Sequence, residues 1–313
     1  MYLSKREFTW HNNCPPEYYY IVQNSFSTSI DIASNLADKL STVEQFLGFL
    51  PQRQDANPSG RVTLETFEAI YGKVLWDRTE PSYKSNNEAG LKRVTYVLKM
   101  AQKLASLPHN KTLTNQLEVM CDEKFWDYRF TEKDKDYYKD TRPEEAGGGR
   151  VMQLSGPACI GKTMGYSWAS KTHSIDNIVL CPMPLARWDG MKDFSIEMFR
   201  HIDLSANYGR MTLGAMMSIW SEARDLPCPS NPGIDSYGWE CITELGRTKP
   251  EESIQNADSF AFLGVALYLY KADWHTGFCE PLPGEGNVVI PRPPQHTPSP
   301  TPQSSPTPTP QHS

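Results

Sequence analysis

The chain has 313 residues, 39% hydrophobic and 11% aromatic, ample for a packed core in one large domain or two small ones. A net charge of -6 and a pI near 5.7 offer no basic stripe for phosphates, which argues against nucleic acid and anionic membrane as partners. No apolar run reaches the roughly 18 to 20 residues that cross a bilayer, and the best one, 260–270, stops at Lys271.

The start, Met1-Tyr2-Leu3-Ser4-Lys5-Arg6-Glu7, lacks the basic head, apolar middle and small-residue cleavage site of a secretory signal. Over 15–110, apolar residues recur at helical spacing twice: Ile21, Phe26, Ile30, Ile32, Ala33 and Leu36, then Val94, Val97, Leu98, Ala101 and Leu104. This predicts a helical N-terminal half, to about residue 130. Segments 79–88 and 131–149 are charged or glycine-rich and are expected as surface loops. Two β-type runs follow, 151–154 and 178–181, as two strands of one small sheet. Helices return over about 210–225 and about 256–274, the second with Asn256 as its expected N-cap. From Ile290 onward the chain is almost all Pro, Thr, Ser, Gln and His, too polar to offset its ordering entropy. The expected organisation is therefore one domain over 1–289, with its sheet and site helices in 150–275, and a disordered tail over 290–313.

The seven cysteines, at 14, 121, 159, 181, 228, 241 and 279, include no CxxC pair, so they suit disulfides better than zinc knuckles or redox motifs. The odd count leaves one thiol or one intermolecular bond. The sequon Asn110-Lys111-Thr112 is compatible with secretion.

Gly156-Pro157-Ala158-Cys159-Ile160-Gly161-Lys162-Thr163 matches the phosphate-cradling pattern GxxxxGK[ST], with Lys162 to reach the phosphates and Thr163 to hold magnesium. Such a loop should open a long helix, with an apolar strand ending in Asp elsewhere to hold the metal. Instead, 164–177 has no clean helical period and the next strand ends in Cys181-Pro182. Nucleotide binding is kept as a rival reading.

Cys159 and Cys181-Pro182 flank a strand pair ahead of a helix, Gly233-Ile234-Asp235-Ser236-Tyr237-Gly238 and Asn256-Ala257-Asp258-Ser259-Phe260 follow in order, and Cys14 and Cys121-Asp122 stand upstream. Across about 8–275 this set resembles the deuterolysin and lysine-specific metalloendopeptidase-like (aspzincin) family, whose GTxDxxYG and Asn-Ala-Asp-Ser-Tyr helix start the two longer motifs resemble. The resemblance implies an α+β, mostly α, zincin-like metallopeptidase fold with a small sheet and an active-site-type helix. It also implies disulfides Cys14 with Cys121 and Cys159 with Cys181, zinc as the family metal, and secretion.

The chain departs from the family at the metal site. In HExxH two imidazoles share a helix face and hold a zinc whose water the glutamate deprotonates, with a downstream Asp as third ligand. In register here stands Ser221-Glu222-Ala223-Arg224-Asp225: the glutamate is kept and both histidines are gone. The degenerate ligand positions are Ser221, Asp225 and Asp235, expected to be empty, with Glu222 and Tyr237 as relic catalytic positions. The motif around Asp235 is one residue shorter than the family's on each side. On the same helix Leu213, Met216, Met217, Trp220 and Ala223 form an apolar stripe, and Gly214, Ser218, Ser221 and Asp225 another face. Asp258 is expected to buttress the Asp235 loop or to favour the helix dipole. His173, His201 and His275 have no i, i+4 partner and are expected as surface or core residues.

The first expectation is a catalytically inactive metallopeptidase-like protein with no cofactor, retaining a cleft for peptide or protein. The enzyme alternative is an active metalloendopeptidase in which Glu222 is the base and Asp225 and Asp235 hold a metal. No nucleic acid or membrane partner is expected.

Overall fold

The computed structural model describes residues 11–12, 14–49, 57–74, 83–107, 116–133, 135–144, 148–154, 159, 164–168, 175–182, 201–205, 208–221, 223–269 and 272–282. It is an α+β fold in which helices predominate. Helices fill the N-terminal half only as far as Ala105, short of the expected 130, with α1 over Tyr19–Phe49, α2 over Pro58–Tyr71 and α3 over Tyr83–Ala105; 116–120 and 126–132 are strands instead. The start of α3 overlaps the segment expected as a loop over 79–88. The apolar residues that predicted α1 and α3, among them Phe26, Ile32, Leu36, Val94 and Leu104, are buried in one core. Asn57 caps α2 by accepting the Gly60 N–H at 2.7 Å, and Pro58 opens it, where a missing N–H costs nothing.

Strands β1 (His11–Asn12), β2 (Gln116–Met120), β6 (Gly165–Trp168) and β7 (Ile175–Leu180) form a sheet in the order β1-β2-β7-β6. The pairs β1/β2 and β2/β7 are parallel and β6/β7 is antiparallel. A second, antiparallel sheet runs β3 (Trp126–Glu132), β4 (Lys135–Asp140) and β5 (Val151–Leu154). Thus 151–154 and 178–181 lie in different sheets rather than pairing in one. The charged stretch after 131, expected as a loop, contains β4. Its two faces meet solvent, so charge does not oppose strand formation, while cross-strand aromatic pairs hold the register. Phe130 stacks on Tyr137 with centroids 4.8 Å apart, and Tyr128 meets Tyr138 edge-on at 5.6 Å.

One buried cation ties the two sheets together. The Arg142 guanidinium donates to Asp140 at the end of β4, to Glu118 on β2 and to the Asn177 amide oxygen on β7, and it lies 4.7 Å from the Phe125 ring centroid. Each charge removed from water here has a partner, which a buried ion requires.

The C-terminal half adds α4 (Tyr208–Ser221), the hairpin β8 (Pro227–Cys228) and β9 (Asn231–Asp235), then α5 (Trp239–Thr248), the short α6 (Pro250–Ser253) and α7 (Ala257–Tyr268). Helices α4 and α7 pack on each other and both pack on α1, while α5 packs on α2. The α2–α5 approach depends on Gly246, where a Cβ would come within 2.0 Å of the Ile70 carbonyl oxygen. The resemblance's two disulfides, Cys14–Cys121 and Cys159–Cys181, are present; Cys228–Cys241 is a third, and Cys279 is a buried thiol. Among the described residues no helix is long and apolar enough to cross a membrane.

Candidate functional site

The helix expected over 210–225 ends at Ser221, so Ser221 and Asp225 do not share an i, i+4 helix face. The cause lies in the side chain and in tertiary pairing. The Ser221 hydroxyl turns back to the Met217 carbonyl at 2.5 Å and accepts from the Ala223 N–H at 3.3 Å. Beyond it, the Arg224 N–H donates to the Gln255 carbonyl at 2.9 Å and the Arg224 carbonyl accepts from the Ala257 N–H at 3.3 Å. The backbone is therefore captured by the segment leading into α7. Glu222 lies outside the described residues, as do 155–158 and 160–163 of the phosphate-loop pattern, whose Cys159 is bonded to Cys181.

Asn256 stands at the N-cap of α7, as expected, but its side chain makes no cap bond. It accepts from the Leu226 N–H at 3.0 Å and donates to the Ser259 hydroxyl at 3.0 Å. An asparagine spent on joining segments leaves the helix end to Asp258, whose negative charge suits the first turn. The helix runs to Tyr268 rather than to about 274.

Asp225 and Tyr237 meet: the phenol donates to the Asp225 carboxylate at 2.7 Å. The Asp225 carboxyl is shielded enough from water for its pKa to rise; the Tyr237 hydrogen bond pulls it down and the charge of Asp235 pushes it up. The phenol itself is pushed up by its own shielding and by Asp225, Asp235 and Asp258. Asp235 ends the exposed strand β9, and its carbonyl accepts the Tyr237 N–H at 2.7 Å.

Beneath this turn, Asp258 accepts from the Gly238 N–H at 2.9 Å and Asp203 accepts from the Trp239 N–H at 2.9 Å. Two carboxylates thus receive the first N–H groups of α5, as helix N-termini favour. Gly238 has φ 83°, a left-handed conformation that glycine adopts without strain. Arg210, its guanidinium 4.1 Å from the Phe262 ring centroid, attracts both Asp258 and Asp203. Burial nevertheless dominates at Asp258, raising its pKa to about 6 against the pull of Arg210 and Gly238, with Asp225 and Asp203 adding to the rise.

Zinc takes imidazole, thiolate or carboxylate ligands at about 2.0 to 2.3 Å. The donors at the expected position are a hydroxyl already bonded to a carbonyl, a carboxylate held by Tyr237, and Asp235. They do not fit zinc, and no metal-activated water follows from them. The sequence identified Asp225, Asp235, Tyr237 and Asp258, which do come together; Arg210 and Asp203 carried no motif to find them by.

The wider surroundings include a cleft of about 860 Å³ between α2 and α5, lined among others by Glu68, Lys73, Trp239, Thr243 and His275. His275 lies in a segment outside the resemblance's motifs, and one potential ligand atom on each of Glu65, Asp273 and His275 falls within 4.8 Å of the others.

No protein-family profile matches the chain, and no curated protein matches it. Among solved structures it is similar to a zinc peptidase from Grifola frondosa, at 12% identity and a TM-score of 0.34, over 80% of this chain and 96% of that one.

Proposed function

We propose that this protein is a secreted, metallopeptidase-like domain of the aspzincin type that has lost peptidase chemistry and keeps a polypeptide-binding role. The observation that carries the loss is the bonding of the degenerate ligand positions: Ser221 ends its helix on the Met217 carbonyl, and Asp225 is held by Tyr237. Without an imidazole pair at these positions no zinc is held there to polarise a scissile carbonyl or lower the pKa of a water. The ordered motifs over about 8–275 and the disulfides Cys14–Cys121 and Cys159–Cys181 support the family reading, and three disulfides support an oxidising compartment. The binding role rests on strand β9, exposed along its length and carrying the exposed Ile234, with the exposed Tyr237 just beyond it; an extended peptide pairs with such an edge through main-chain hydrogen bonds. The cross-link at Cys159 counts against the nucleotide reading, since it restrains a loop that would have to wrap phosphates.

The test is hydrolysis of unfolded protein and of lysine-containing peptides, with and without added zinc, by the wild type and by Glu222→Gln and Asp235→Ala. The expected result is equal background turnover in all three. Turnover abolished in both variants would replace this reading with an active enzyme using Glu222 as base and a carboxylate metal site.

A further inference from the structure

Glu65 projects from α2, and Asp273 and His275 come from the segment after α7, so the topology brings together a carboxylate and an Asp-x-His pair remote in sequence. The Asp-x-His pair is held rigidly. Asp273 exchanges both backbone hydrogen bonds with Glu280, at 2.8 and 2.9 Å, and its buried carboxylate accepts from the His275 N–H at 3.0 Å. Between them Trp274 is buried, its indole N–H donating to the Leu269 carbonyl at 3.3 Å. Asp273 Oδ1 also lies 2.8 Å from His275 Nδ1. Without a cation the proton of this pair lies between the two atoms; a cation held by Asp273 Oδ1 and His275 Nδ1 takes its place and leaves the imidazole proton on Nε2.

We propose that Glu65, Asp273 and His275 bind one divalent first-row transition cation, zinc being the best fit, at the edge of the cleft between α2 and α5. The donor set decides the metal class. An imidazole with two carboxylates suits zinc and its neighbours, whereas calcium and magnesium take oxygen ligands throughout. Ligand atoms around a tetrahedral zinc stand about 3.3 Å apart, so a group within 4.8 Å closes on the ion by side-chain rotation. Three protein ligands leave a position for water or an anion, and His275 is part of the cleft wall from which either would arrive. The group shares no residue with Ser221, Asp225 and Asp235, so the proposal stands whether or not the loss of peptidase chemistry does.

The test is equilibrium dialysis of chelator-stripped, re-dialysed full-length protein against zinc, and a cobalt(II) titration followed by visible absorption. Wild type and Asp235→Asn are expected to bind about one equivalent with a tetrahedral cobalt spectrum. His275→Ala and Glu65→Gln are expected to bind at least roughly tenfold more weakly. Circular dichroism checks that the variants fold, and Glu65→Gln, a near-isosteric change on α2, carries the test if His275→Ala does not. Absence of saturable binding in the wild type, undiminished binding in Glu65→Gln, or loss of binding in Asp235→Asn overturns the assignment.

Discussion

Replacing Asp258 with asparagine should change how stability responds to pH, and the size of the change follows from the surroundings of this carboxyl. Arg210 on α4, Asp203, Asp225, Tyr237 and the Gly238 N–H all face it, and burial outweighs the favourable ones, leaving its pKa at about 6 in the fold. In the unfolded chain an aspartate titrates near 3.9. Below about pH 4 both states are protonated and the group is neutral to stability. As pH rises from there the unfolded chain gives up its proton first, so the native state binds more protons and stability falls, until the loss is complete above about pH 6. An interval of about two pH units at 1.36 kcal/mol each makes that loss about 3 kcal/mol. Asparagine cannot ionise, and its amide oxygen can still accept the Gly238 N–H. Urea unfolding followed by tryptophan fluorescence, disulfides intact, should therefore find Asp258→Asn matching wild type near pH 4 and exceeding it by about 3 kcal/mol near pH 7.5. Asp225 is also shifted upward and contributes a slope of the same sign to both proteins, most of which cancels in the difference curve. A variant less stable than wild type at pH 7.5, or a difference that does not change with pH, would refute the reasoning.

The other predictions concern single bonds. Tyr237→Phe removes the donor that lowers the Asp225 pKa; it should raise that pKa in a carbon-detected NMR titration and cost about 1 kcal/mol in urea unfolding at neutral pH. Among the disulfides, the entropy of loop closure makes the bond over a separation of 107 worth about 5 kcal/mol and the one over 13 about 3. The double serine variant at Cys14 and Cys121 should therefore be about 2 kcal/mol less stable than that at Cys228 and Cys241; equal losses would show that the unfolded chain is not loop-limited.

How legible these features were depended on the range of the interactions that create them. Helices α1 and α3 bury one face against a single core, so their apolar period was visible in the residues themselves. Strand β4 was not, because a strand solvated on both faces has no alternation to read; its order comes from Phe130, Tyr128 and the Arg142 ion pairs. The end of α4 was also hidden. Glu222-Ala223-Arg224 are good helix formers, and what stops the helix is pairing of Arg224 with Gln255 and Ala257 on another segment. In the candidate site, order along the chain brought out Asp225, Asp235, Tyr237 and Asp258, whereas Asp203 and Arg210 act through proximity alone. Glu65 belongs to that second kind, and its companions Asp273 and His275 lack the i, i+4 spacing by which the sequence analysis sought ligands.

The bond between Cys14 and Cys121 encloses α1, α2 and α3 in one covalent ring, closed where β1 pairs with β2. A protease that cuts inside that ring opens it without releasing a fragment. Mass and mobility under non-reducing conditions stay almost unchanged, and the nick becomes visible only after reduction. In an oxidising, protease-rich setting the helical half can thus be cleaved and still remain attached to the rest of the chain.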